Sequence, residues 1–200
     1  MAHEIPPILK DFPDRFETER LLIRCPLPGD GPEDNAAVLE SFEDLKPWMP
    51  WARKRPTVEE SEENMRRARA RFLERDDLML LLFLKDTGTL VGSSGLHRID
   101  WSVPKFEIGY WRRTRFAGQG YITEAVRGIS DFAFDALDAN RVEIRSDSLN
   151  HRSAKVAERA GFRLEGELRN AEAGSDGSLR NTLVFSMIPE ERESPKAETG

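Results

Sequence analysis

Residues 107–120 read EIGYWRRTRFAGQG and run directly into a helical pattern. A strand ends, a short basic loop follows, and a glycine turn opens a long helix. Backbone N–H groups at a helix start have no partner within the helix, and the helix dipole adds positive potential there. Gly118 and Gly120 let a ligand come close to that backbone. Arg112, Arg113 and Arg115 add charge. The chemistry such a segment performs is anion binding, with a phosphate group as the natural occupant. It lacks the Lys-Ser/Thr ending of a nucleotide P-loop and the third glycine of a dinucleotide fingerprint. A plain glycine turn before a helix is the other reading.

Two further segments carry polar or aromatic groups at suggestive spacing. Asn150-His151-Arg152-Ser153 opens a short helix that ends at Ala160-Gly161-Phe162. Asn150 suits an N-cap and Ser153 can solvate the first turn, so capping explains both residues as well as ligand contact does. In Pro47-Trp48-Met49-Pro50-Trp51, two prolines fix three large apolar side chains. Trp48, Met49 and Trp51 either wall an acceptor pocket or cover an end of the sheet. His3, His97 and His151 share no metal-ligand spacing, so no metal is expected. Cys25 has no histidine partner in sequence and reads as an inert strand-end thiol.

The elements that position these groups follow from hydrophobic period. Strands are expected at 18–24, 78–84, 90–97, 106–111, 142–145, 162–168 and 179–187. Asp86-Thr87-Gly88 turns the second of these into the third as a hairpin. Helices are expected at 35–45, after Thr57, within 118–137 and at 151–160. Thr57 with Glu60 forms a capping box for the second helix. The third carries Ile122, Ala125, Val126, Ile129, Phe132 and Ala133 on one face. The order β, α, α, β, β, β, α, β, α, β, β describes a mixed α+β (mixed α/β) domain of about seven strands and about four helices. Residues 15–188 form this domain, 1–14 a loosely ordered arm, and 189–200 a disordered tail.

Composition narrows the function classes. The chain has 200 residues, 38% hydrophobic and 33% charged, which fits one soluble domain. A net charge of −6 disfavours non-specific nucleic-acid binding, which depends on neutralising phosphates. The longest apolar run, 78–84, is far too short to span a membrane. The N-terminus has no basic region followed by an apolar one, and a single cysteine excludes an internal disulfide framework. A cytoplasmic location is expected.

Taken together, EIGYW, RxxGxGYxTEA, NxxS and AGF, in this order and at these spacings, resemble the GNAT acetyltransferases. The branch they are most similar to is the RimJ/RimL type, the N-terminal acetyltransferases of ribosomal proteins and their relatives. TERLLIR near the start and PWMPW before a PTxEE helix are similar to that branch as well. The resemblance implies a twisted mixed sheet splayed between the fourth and fifth strands, 106–111 and 142–145. It implies acetyl-CoA as the acetyl donor. Arg115, Phe116, Gly118, Gly120 and Tyr121 would cradle the pyrophosphate, and the pantetheine arm would enter the splay. A backbone N–H near Ile108 and Tyr110 would hold the oxyanion. Asn150 and Ser153 would touch the cofactor. The tyrosine that many relatives use to protonate the leaving thiolate falls here at Ala157, and Ser153 takes its expected place. Glu107 and Glu172 compete as general base.

An α-amine is about one-tenth neutral at pH 7, whereas fewer than about one lysine in a thousand is, so a base matters more for the second. The expected acceptor is a protein or peptide N-terminal α-amine. The alternatives are a small-molecule amine (antibiotic, polyamine or amino acid) and a non-catalytic acyl-CoA-binding sensor. A homodimer is compatible with the resemblance.

Overall fold

The computed structural model describes residues 5–192. In chain order its elements are β1 (Arg15–Glu17), β2 (Leu21–Arg24), α1 (Gly31–Leu45), α2 (Val58–Glu74), β3 (Leu78–Leu84), β4 (Leu90–Asp100), β5 (Lys105–Arg112), α3 (Tyr121–Leu137), β6 (Arg141–Asp147), α4 (His151–Ala160), β7 (Arg163–Ala173) and β8 (Leu179–Met187). The strands form one eight-stranded sheet in the order β1-β2-β3-β4-β5-β6-β8-β7. One neighbouring pair, β5 with β6, is parallel, and the others are antiparallel. Among the described residues no helix is long and apolar enough to cross a membrane.

The strand period of two divides the side chains between two cores. On β3, Leu78, Leu80 and Leu82 pack with α3 and α4, while Leu81 and Phe83 pack with α1 and the front half of α2. The same alternation sends Phe106 and Ile108 of β5 to the first core and Trp111 to the second. α1 therefore covers one sheet face and α3 and α4 the other, while α2 gives Met65 to the second core and Phe72 to the first, and the sheet is the wall between two chemically distinct sides.

Seven strands were expected and eight are present, because the run at 18–24 breaks. Thr18 and Arg20 leave the strand to bind Glu124 on α3: Thr18 Oγ1 donates at 2.6 Å and the Arg20 N–H at 2.8 Å. The turn this creates lets Arg15–Glu17 pair back on β2.

Several ends are longer than expected. α1 begins at Gly31, where the Glu62 carboxylate accepts the Gly29 and Gly31 N–H groups and satisfies the helix start. β7 runs to Ala173, carrying an exposed hairpin with β8. The capping box at Thr57 forms as read, with Thr57 Oγ1 accepting from the Glu60 N–H and the Glu60 carboxylate accepting from the Thr57 N–H.

Of the expected N-terminal arm, residues 1–4 lie outside the described residues. Pro7–Leu9 form a 3-10 turn, and Phe12 packs edge-on against Phe72 and Phe132. Of the expected tail, 193–200 lie outside the described residues, while Arg192 pairs with Asp131 and Asp135 of α3.

The sheet opens where the chemistry was expected. β5 and β6 pair at three positions, Lys105 with Arg141, Phe106 with Val142 and Glu107 with Glu143, and then part. Beyond that point β6 keeps its antiparallel ladder with β8 and β5 keeps its ladder with β4. The result is a wedge-shaped gap in the middle of the sheet.

Candidate active site

The gap exposes one set of backbone groups. The Arg113 N–H donates to the Val91 carbonyl at 2.7 Å, which continues the β4–β5 register. In an antiparallel ladder alternate residues face the partner strand. Residues 107, 109 and 111 therefore bond to β4, and the N–H and C=O groups of Ile108, Tyr110 and Arg112 point into the gap. This is where the oxyanion donor was expected.

The start of α3 lies beside the gap. Gly118 and Gly120 have φ of +75° and +81°, a left-handed conformation that favours glycine. α2 and α4 have side-chain caps and α1 has Glu62, but α3 has no side-chain cap at all. Its first N–H groups stay available. Arg20 steadies the turn: its guanidinium lies 4.4 Å from the Tyr121 ring centre, donates to the Gln119 carbonyl at 3.1 Å, and pairs with Glu124 at 2.6 Å.

From this helix start a groove of about 1130 Å³ runs to the gap. Phe116, Gly118, Gly120, Tyr121, Asn150, Ser153, Tyr110 and Trp48 all line it. So do the cations Arg20, Arg112, Arg127, Arg152, Lys155 and Arg159. Asn150 Oδ1 caps α4 by accepting from the Ser153 N–H at 3.2 Å. The Ser153 hydroxyl is 3.0 Å from the Tyr110 hydroxyl, and Tyr110 also donates to the Ser153 carbonyl at 3.0 Å. Burial pushes the Tyr110 phenol up to about 12, partly opposed by its bond to Ser153, so it keeps its proton.

A second cavity, of about 550 Å³, lies on the α1/α2 side of the sheet. The two cavities share Met49, Tyr110 and Trp111. They thus adjoin at the edge of the gap. Trp51 walls the second cavity and meets Trp111 edge-on at 6.2 Å. The Pro47–Trp51 segment therefore stands over both cavities rather than over one.

Several singled-out residues lie elsewhere. Ile108 is a core side chain that contributes only backbone to the gap. Arg113 is almost fully buried, paired with Glu33 at 2.9 Å and Glu40 at 2.6 Å, and so serves the α1 contact rather than an anion. Arg115 lines neither cavity, and its N–H and guanidinium face Glu40 at 3.3 and 3.9 Å. Glu172 sits on the exposed β7–β8 hairpin opposite Arg180, and lines neither cavity. Glu107 faces the α1/α2 side but also lines neither cavity, held between Arg98 at 3.5 Å and Arg145 at 3.6 Å. Burial raises its carboxyl, and these two arginines pull it back only in part.

Sequence reasoning missed Asp34, Asp77 and His97, which line the second cavity. His97 Nδ1 is 2.7 Å from Asp77 Oδ2. Extending the β3–β4 register one step past Leu78–Leu96 places Asp77 opposite His97. That hairpin offset was the available signal.

Comparisons with known proteins decide the family. The family described as "Acetyltransferase (GNAT) domain" matches residues 20–163. The chain belongs to the GNAT acetyltransferase family. A Bacillus subtilis (strain 168) protein named "Putative ribosomal N-acetyltransferase YdaF" is 38% identical over 109 residues, 54% of this chain and 59% of that one. The ribosomal-protein-serine acetyltransferase of Escherichia coli (strain K12) is 34% identical over 98 residues, 49% of this chain and 54% of that one. The chain therefore spans a little over half the length of these relatives. A crystal structure of a probable acetyltransferase superposes with a TM-score of 0.81 at 28% identity, covering 88% of this chain and 98% of that one. The single mixed domain with an open, gapped sheet is thus the GNAT fold.

Proposed function

We propose that this GNAT protein transfers the acetyl group of acetyl-CoA to a primary amine, most readily a protein or peptide α-amine. The observation that carries the reading is the meeting of two cavities at the sheet gap. One cavity suits a long polyanionic thioester and the other suits an amine. The uncapped start of α3 and the glycine turn bind the pyrophosphate through backbone N–H groups, where Phe116, Gly118, Gly120 and Tyr121 lie. Groove cations such as Arg152 and Lys155 supply charge for further phosphate. The thioester reaches the gap, where the backbone N–H of Tyr110 meets the carbonyl oxygen as it gains charge.

The amine enters from the other face. Asp34, Glu60 and Asp77 make that cavity attractive to a cation, while Met49, Trp51 and Trp111 hold apolar neighbours of the amine. As the C–S bond breaks, the Tyr110–Ser153 hydroxyl pair supplies a proton to the sulfur, the task that no tyrosine at position 157 performs here. The peptide acceptor is favoured by the names of the two relatives. A small-molecule amine is the second reading, favoured by a cavity of about 550 Å³ that accommodates one whole.

The test is thiol release from acetyl-CoA across peptides with different N-terminal residues, N-blocked lysine peptides, polyamines, aminoglycosides and amino acids. Peptides with free α-amines should give the fastest release. Saturable acetyl-CoA binding without release to any of these would favour a sensor over an enzyme. Failure to bind acetyl-CoA at millimolar concentration would overturn the reading.

A further inference from the structure

Three sheet rows run beneath the amine-side cavity, which Asp77, His97, Met79, Gly109, Ser93 and Trp111 of those rows line. Asp77, His97 and Glu107 stand side by side across β3, β4 and β5. The next row towards the gap is Met79, Gly95 and Gly109, and the one after it Leu81, Ser93 and Trp111. Two glycines therefore leave a bare patch of backbone, and His97 leans over it. A methyl placed on Gly109 would stand 3.2 Å from His97 Cδ2 and 3.5 Å from Nε2. That imidazole edge thus occupies the space a side chain at 109 would take, one residue from the Tyr110 N–H. Nδ1 is committed to Asp77, whereas Nε2 has no hydrogen-bond partner among the described residues.

We propose that His97, held by Asp77, is the general base that accepts the proton of the attacking amine through Nε2. The inference rests on the acetyl-transfer reading above. The carboxylate on Nδ1 orients the ring and, by accepting the Nδ1 hydrogen, leaves the lone pair on Nε2. The neutral amine nitrogen attacks the thioester carbon, and a C–N bond forms as the carbonyl pair moves to oxygen. Nε2 takes the proton the nitrogen loses. The oxygen pair returns, the C–S bond breaks, and the sulfur takes a proton from the Tyr110–Ser153 pair. Through solvent the imidazolium proton restores that hydroxyl, so the products are an amide and a free thiol.

Glu107 is the competing carboxylate, but its Oε2 is turned to Arg98 and Arg145. Other charges on the cavity walls are Arg71 and Glu60 of α2 and Asp34 of α1. None is within hydrogen-bond distance of the imidazole.

The test uses a short peptide with a free N-terminal serine, and hydroxylamine, whose weakly basic nitrogen gives an adduct acidic enough to lose its proton to water and so depends far less on a positioned base. His97→Gln should lower kcat with the peptide by about a hundredfold or more, the usual reach of a general base. Hydroxylamine turnover, corrected for the uncatalysed reaction, should fall far less than peptide turnover, and acetyl-CoA affinity should stay within about threefold of native. Added imidazole should restore peptide turnover in His97→Ala, and Asp77→Asn should fall between native and His97→Gln. Equal loss with both nucleophiles, or peptide turnover in His97→Gln within about threefold of native, would overturn the base assignment while leaving acetyl transfer intact. A native protein that binds acetyl-CoA but releases thiol to neither nucleophile would overturn both.

Discussion

Asp34 is a carboxyl whose surroundings oppose its charge. It lies buried in the first turn of α1, facing the amine-side cavity. Burial pushes it up to about 6, with the Ser61 hydroxyl pulling down and Asp30 pushing further up. The folded chain therefore holds this proton to higher pH than the unfolded chain does. The stability it contributes is complete below the ordinary carboxylate range and is lost as pH rises through about 6. Asp34→Asn is neutral throughout. The unfolding free energy of native protein relative to Asp34→Asn should fall by about 1 kcal/mol between pH 5 and pH 7 in urea titrations. A difference that does not move with pH would mean that Asp34 is charged in the fold. At this scale the sequence was informative about residue types and silent about partners. The resemblance put Tyr110 and Ser153 on one list of residues expected near the cofactor, but their mutual bond spans 43 positions and could not be read from either segment.

The elements were more legible than the residues. Every helix and every expected strand core is present, because apolar period and capping residues are local signals. What escaped was the break at Thr18–Arg20. TERLLIR has strand composition, and nothing within it calls for a turn. The cause is Glu124, more than one hundred positions away on α3. Burial works against the Glu124 charge, but bonds from Thr18 Oγ1 and from the Arg20 N–H and guanidinium outweigh it and hold the carboxyl below its usual range. Glu124→Gln keeps the shape and loses the charge. It should cost about 1–3 kcal/mol of stability, the typical worth of a hydrogen bond to a charged group, read as a lower urea midpoint. Because Arg20 also holds the Gln119 carbonyl in the glycine turn, acetyl-CoA binding should weaken in the same variant. An unchanged midpoint would show that the α3–β2 link is carried by packing alone.

At the scale of the whole molecule, the groove exists only in the folded chain, so a ligand there must stabilise the fold. Acetyl-CoA at about a hundred times its Kd should add about 2.7 kcal/mol, or roughly 5–10 °C in Tm for a chain of this size. The shift should shrink as salt rises, since phosphates and groove cations attract through solvent. A scanning-calorimetry series in acetyl-CoA and salt checks both, and a salt-independent shift would argue against phosphate binding at the α3 start. Sequence alone determined the mixed domain and the glycine turn before α3, because each is written in contiguous residues, and motifs of set spacing carried the family resemblance, which in turn implied the gap between the strands around 106–111 and 142–145. Only the tertiary structure decided which charged groups meet. Glu107, Glu172, Arg113 and Arg115 had suitable chemistry, yet arginines hold Glu107, the exposed hairpin carries Glu172 away, and α1 carboxylates claim the two arginines. Asp77 and His97 showed no spacing worth remark until β4 folded back on β3 and set them opposite each other. Strand register, not sequence distance, determines which side chains share a sheet face, and that register is set by long-range pairing.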